Sequence, residues 1–188
     1  MLRPMKTARA LLATVFLAVP IAPAQAPATS KSVTLDVAEN NGDAATLTRW
    51  ATAYGSFDKT KAATRALGIT LHNMSATVPG EFEVEWFFFG KPAGGGKRFL
   101  HDKGSQRIVA KPSAIEKIAV ASKELVSARY RSGYSGYTSH SGQKPDGWIV
   151  RVKSGEEVIR VKTSDAQLGQ LEHDKAAFDA MLKTLPTR

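Results

Sequence analysis

Tyr130, Tyr134 and Tyr137 stand among serines and glycines, with Arg129, Arg131, His140 and Lys144 beside them, in the segment that ends at Gly147. Tyrosine offers large contact area at small entropic cost, and Ser and Gly offer pliable polar contacts, which is the chemistry of an adaptable binding surface. Tyr134 and Tyr137 could stack on sugar rings. The same composition suits an ordinary hairpin whose tyrosines pack on a sheet, because Gly and Ser are what turns demand. A second feature is charge. From Lys91 to Arg131 ten Lys and Arg face only Asp102, Glu116 and Glu124, a net of +7. Such a stretch can meet an anionic glycan or another polyanion. Its charges are also spaced widely enough for a plain solvated face. The candidate ligand or partner surface is therefore Arg129, Tyr130, Arg131, Tyr134, Tyr137, His140 and Lys144, with Lys97 and Arg98 from the neighbouring Gly-rich loop.

Motifs for catalysis are weak. Gly94-Gly95-Gly96-Lys97-Arg98 suggests a phosphate loop, yet that motif needs glycine where Lys91 stands and Ser or Thr where Arg98 stands. A hairpin loop is the expectation. Gly133-Tyr134-Ser135-Gly136-Tyr137 lacks the closing glycine of a nucleophile elbow. His72, His101, His140 and His173 lack zinc spacing, and there is no cysteine to join them. No catalytic residue, cofactor or metal ligand is assigned, and the protein is expected not to be an enzyme. Asn73-Met74-Ser75 matches a glycosylation sequon, to which no consequence is attached.

The first residues give an address. Arg3, Lys6 and Arg9 precede the apolar run Leu11 to Val19, and Pro20 ends it. This is the pattern of a secretory signal, with cleavage expected after Ala24 and Ala26 as the alternative. Export to the periplasm or the exterior disfavours ATP-, NAD- and DNA-linked roles, so no nucleic-acid partner is expected. An anionic glycan or an envelope protein fits better. Losing residues 1–24 lowers the formal charge from +9 to +6 and leaves 164 residues, enough for one domain with a substantial core. No later apolar run is long enough to span a bilayer. Without cysteine the fold must rest on its core alone.

The elements that would carry these residues are mostly strands. Residues 25–31 read as a flexible leader, 32–163 as a β-domain and 164–188 as a helical segment. Val33, Leu35 and Val37 alternate with polar neighbours, and so do Leu67, Ile69 and Leu71. From Thr46 to Tyr54 the even positions are β-formers, including Trp50. Phe82, Val84, Trp86 and Phe88 share one face of the strongest strand, while Glu81, Glu83, Glu85, Phe87 and Phe89 share the other. Two phenylalanines on an otherwise polar face need a cover. The stripe Ala177, Phe178, Met181, Leu182, Leu185 of a terminal helix is the expected one. Residues 113–130 fit either helix or strand, and strand is chosen. Residues 147–162 read as a hairpin turning at Ser154-Gly155, with Val152 opposite Glu157, Val150 opposite Ile159 and Trp148 opposite Val161.

The run Gly80 to Gly90 (Gly-Glu-Phe-Glu-Val-Glu-Trp-Phe-Phe-Phe-Gly), with Gly147 to Gly155, resembles a group of exported bacterial immunoglobulin-like sandwich proteins. The resemblance covers residues 45–172 and lies in core and turn features, so it carries over no site residue. The Cys–Trp–Cys pattern of true immunoglobulin domains is missing. The expectation is an all-β, immunoglobulin-like antiparallel sandwich of about seven or eight strands with a C-terminal helix. It would serve as an exported binding or structural module. The alternative is a carbohydrate-binding module using Tyr134 and Tyr137, and a small hydrolase with an unrecognised site ranks third.

Overall fold

A computed structural model describes residues 32–41, 46–51 and 56–183. The expected signal and leader, Thr52 and Tyr54 of the second strand, and Leu185 of the helical stripe lie outside the described residues. Among the described residues ten strands are seen: β1 Val33–Asn41, β2 Thr46–Ala51, β3 Ser56–Ala63, β4 Arg65–Asn73, β5 Gly80–Pro92, β6 Phe99–Ala110, β7 Ile115–Ala121, β8 Leu125–Arg131, β9 Thr138–Ser154 and β10 Glu157–Thr163. Two helices follow, α1 Ala166–His173 and α2 Lys175–Lys183. Residues 113–130 thus hold two strands, β7 and most of β8, and no helix, in keeping with the choice of strand. The expected seven or eight strands become ten. Gly55 to Asp58 looks like punctuation, yet Ser56 opens β3. Phe99 extends the short Ile108–Ala110 strand backwards, and Thr138 extends the hairpin strand through the Tyr-rich segment.

The protein is an antiparallel all-β sandwich with helices at its C-terminus. One sheet has the order β1-β4-β7, and the other runs β2-β3-β8-β9-β5-β6 with β10 also on β9. Period-two alternation builds the interior. Val33, Leu35, Leu67, Ile69, Leu71 and Ile118 of the small sheet meet Phe82, Val84, Phe88, Trp148, Val150, Val152 and Ile159 of the large one. Removing this apolar surface from water drives the folding, at about 25 cal/mol per Å².

A second core lies on the outer face of the large sheet. Phe87, Phe89, Leu100 and Ile149 are buried there beneath Leu168 of α1 and Phe178 of α2. The cover expected for the two phenylalanines is present, and the rings of Phe87 and Phe178 meet edge to face at 5.2 Å. The Arg151 guanidinium lies 4.9 Å from the Phe87 centroid and 4.6 Å from that of Phe178. It also donates to Glu85, which Lys153 reaches at 2.7 Å. Burial would raise the Glu85 carboxyl, but the hydrogen bonds from Lys153 and Arg151 and their charges hold it below its ordinary range.

Helix α1 starts where Asp165 caps it, accepting from the Leu168 amide at 3.0 Å. Arg98 donates to Asp165 and to Asp146 of β9, and Lys91 pairs with Asp146. This cluster ties the helix start to the sheet. Burial would raise both aspartates and lower Arg98. Hydrogen bonds win: Lys91 and then Arg98 hold Asp146 below the usual carboxylate range, the Leu168 amide and then Arg98 do the same for Asp165, and the two aspartates hold Arg98 above its own.

The β9–β10 register differs from expectation. The turn is Gly155-Glu156, Gly155 has φ +60°, and Glu157 pairs with Ser154. A bulge between Val158 and Arg160 then sets Arg160 opposite Val152. The bulge sends Ile159 into the sandwich core and Val161 toward the helices, a division that unbroken alternation forbids.

Strand β9 belongs to two structures. Thr138–Gly142 pairs with β8, and from Gln143 onward the strand pairs with β5. Gly142 marks the transition with φ +78°, and a Cβ there would run into the Val126 carbonyl oxygen. Among the described residues, strands β2, β3 and β8 pair with one another and with β9 and with no other strand. They form an arm attached at the Thr138–Gly142 end of β9. Ser32, Asn73, Ala110 and Gly155 mark the end of the sandwich away from the arm, where the Asn73 amide meets the Ala110 carbonyl.

Candidate functional site: the basic face of the arm

The register of the arm decides which side chains share a face. Lys59 is opposite Arg129, and Arg129 is opposite His140. Directly opposed residues of antiparallel strands point the same way, and so do residues two apart on one strand. Lys59, Lys61, Arg129, Arg131 and His140 therefore occupy one face across β3, β8 and β9, and all five are exposed. Asp58 is opposite Tyr130 and lies on the reverse face, with Val126. Among the described residues, none of Lys59, Lys61, Arg129 or Arg131 is held in an ion pair.

The loop from Ser132 to Tyr137 caps the arm. It is closed by Ser132 N–H on the Tyr137 carbonyl at 2.8 Å and Gly136 N–H on the Ser132 carbonyl at 3.1 Å. The Ser132 and Ser135 hydroxyls accept from the Ser135 and Tyr137 amides. These serines turn the chain, and the tyrosines are left outside it. Tyr134 is 92% and Tyr137 64% exposed, so neither packs on the sheet. Tyr130, at 45%, stands on the arm's other face.

The structure brings Arg129, Arg131 and His140 together, and places Tyr134 and Tyr137 just beyond them at the tip. It separates the others. Lys97 is exposed in the β5–β6 loop, which is a hairpin loop as expected. Lys144 is exposed on β9 level with Lys91. Arg98 is committed to Asp146 and Asp165. The positive stretch from Lys91 to Arg131 is thus spread over β5, β6, β7 and β8. Lys91 and Arg98 are paired, and Lys123 lies 3.6 Å from Asp102. What sequence reasoning missed is Lys59 and Lys61. Their signal was the alternation Lys59-Thr60-Lys61, legible only once Ser56 to Ala63 is read as a strand.

Elsewhere the chemistry is structural. Asn73 of the sequon is fully buried, and its amide donates to the carbonyls of Val78, Ala110 and Lys111, so that nitrogen is closed to modification. Among the described residues no three His, Asp or Glu gather to hold a metal. A hollow of about 690 Å³ between β10 and α1 presents Glu172 and His173, and its one hydroxyl, Thr163, donates to the Asp165 carbonyl.

No family model matches the sequence, and no curated protein matches it. Several solved structures show partial likeness. One is a β-glucosidase from Kluyveromyces marxianus in complex with glucose, at 14% identity and TM-score 0.30, covering 70% of this chain. The chain spans only 14% of that enzyme's length. Another is the Northeast Structural Genomics Consortium target SoR45, at 12% identity and TM-score 0.31, with 62% of this chain and 86% of that one covered. A third is a protein from Akkermansia muciniphila, at 11% identity and TM-score 0.32, with 80% and 79% covered. Likeness at this level transfers no activity.

Proposed function

We propose that this is an exported, non-enzymatic binding module whose arm holds a linear anionic polymer, an anionic glycan first among them. The observation that carries the reading is the Lys59–Arg129 opposition, flanked by Lys61 and Arg131, on a face with no described acidic residue. Like charges directly opposite one another destabilise a sheet, so this face gains from a ligand that neutralises it. The immunoglobulin-like affinity belongs to the same proposal. Its support is a sheet of three strands facing β6-β5-β9-β10. A second reading, sugar binding by stacking, draws on the exposure of Tyr134 and Tyr137.

Retention on an immobilised anionic polysaccharide across a salt series tests the first reading. The protein is expected to elute at low to moderate salt, and Lys59→Ser with Arg129→Ser to elute earlier. Retention indifferent to salt or to these substitutions refutes it. A glycan array of parent against Tyr134→Ala with Tyr137→Ala tests the second, which falls if the two bind alike.

A further inference from the structure

We infer that the polymer is a phosphodiester-linked polyol chain bearing sugars, lying along β8 with successive phosphates over successive rows of cations. The inference rests on the polyanion reading above and names its ligand class. The rows follow from the register: Lys61 stands level with Ser127, Lys59 with Arg129, and Arg131 forms the next row toward the tip. Consecutive rows are two residues apart, about 6.8 Å in an antiparallel strand. Two residues of extended polypeptide contain about six backbone bonds, each advancing roughly 1.2 Å. A glycerol-phosphate chain also has about six backbone bonds per charge, so its repeat matches the rows from bond count alone. A polyuronate turns alternate rings over, so its same-side carboxylates recur at a longer interval and fall out of step.

The residue types suit phosphate as well. Arg129 and Arg131 carry planar forks that grip phosphate oxygens bidentately, and the lysines add compact charge on the neighbouring strand. Aromatic residue types follow at the distal row. Tyr134 and Tyr137 stand exposed just past Arg131. That is where the flat faces of sugar substituents would lie. Single-stranded nucleic acid has a similar bond count per phosphate, with bases to stack. The export pattern of residues 1–24 selects the envelope polymer over it.

Calorimetric titration of the full-length protein with three oligomers of equal charge tests this: a glucosylated glycerol-phosphate oligomer, an oligogalacturonate and an oligothymidylate. The first is expected to bind at least tenfold more tightly than the second and no less tightly than the third. Its log–log salt slope should be about −3, from four cations at roughly 0.7 each, and Lys59→Ser should lower it by about 0.7. Oligogalacturonate binding as tightly overturns the phosphodiester assignment and leaves the polyanion reading intact. Oligothymidylate binding more tightly overturns the polyol assignment. Binding of none overturns both, provided circular dichroism shows the β-fold intact.

Discussion

Lys59→Glu should stabilise the protein while weakening the proposed polyanion binding. Lys59 and Arg129 are directly opposed; charges set roughly 7 Å apart repel in water by about 0.6 kcal/mol. Lys61 and Arg131, one row away, taken at about 10 Å, add about 0.4 kcal/mol each before screening. A Debye length of ~8 Å at 0.15 M salt reduces the total to about 0.5 kcal/mol, and in 0.02 M salt about 1 kcal/mol survives. Reversing the charge turns repulsion into attraction, so the gain is about 1 kcal/mol at 0.15 M and about 2 kcal/mol at 0.02 M. Lys and Glu have similar strand propensity, which leaves the electrostatic effect largely isolated. Urea unfolding at 0.02, 0.15 and 1 M salt measures it, and hydrogen exchange of β8 amides reads the arm locally. The gain should vanish by 1 M salt, and anionic-polymer binding should fall at least tenfold. A variant no more stable than the parent in 0.02 M salt, or a gain unchanged in 1 M, would show that these charges do not share a face.

Three further outcomes are expected. Phe178→Ala removes a ring that is 2% exposed, set against Phe87 and Arg151. It should cost about 3 kcal/mol in urea unfolding and raise dye binding at the uncovered Phe87 and Phe89. Gly142→Ala meets both φ +78° and the Val126 carbonyl, so it should cost more than about 2 kcal/mol. Hydrogen exchange should show protection lost at β8 while β4 and β5 keep theirs. Acid should loosen the helical cover. Asp165, Asp146 and Glu85 are held below their ordinary values of 3.8, 3.8 and 4.5, so their stabilisation is complete above those values and is lost as pH falls through them. Urea midpoints should therefore drop below about pH 4.5, and Asp165→Asn should show a shallower drop.

Much of the sandwich was legible because alternation reports burial directly. Phe87 and Phe89 broke the pattern of a wet face, and the Phe178 stripe answered them. Strand against helix at 113–130 was settled by context, since every neighbour was a strand. The β10 register was not legible, because a bulge at Ile159 is a local backbone choice that leaves the hydrophobic pattern almost unchanged. Half of the basic face was hidden for a related reason. Arg129 and Arg131 announced themselves by clustering in sequence. Lys59 and Lys61 lie some seventy residues earlier, and only pairing between β3 and β8 brings them alongside. Arg98 was misplaced because charge in a sequence does not disclose its partners, here Asp146 and Asp165.

The double membership of β9 has a mechanical consequence. The chain leaving the Tyr134 loop runs without a break from the tip to the centre of the large sheet, with β5 on one side and β10 on the other. A pull on the tip along this axis would load those two ladders in shear, with many hydrogen bonds sharing the tension. Here a load applied at the far end falls on a strand that is clasped on both sides inside the large sheet.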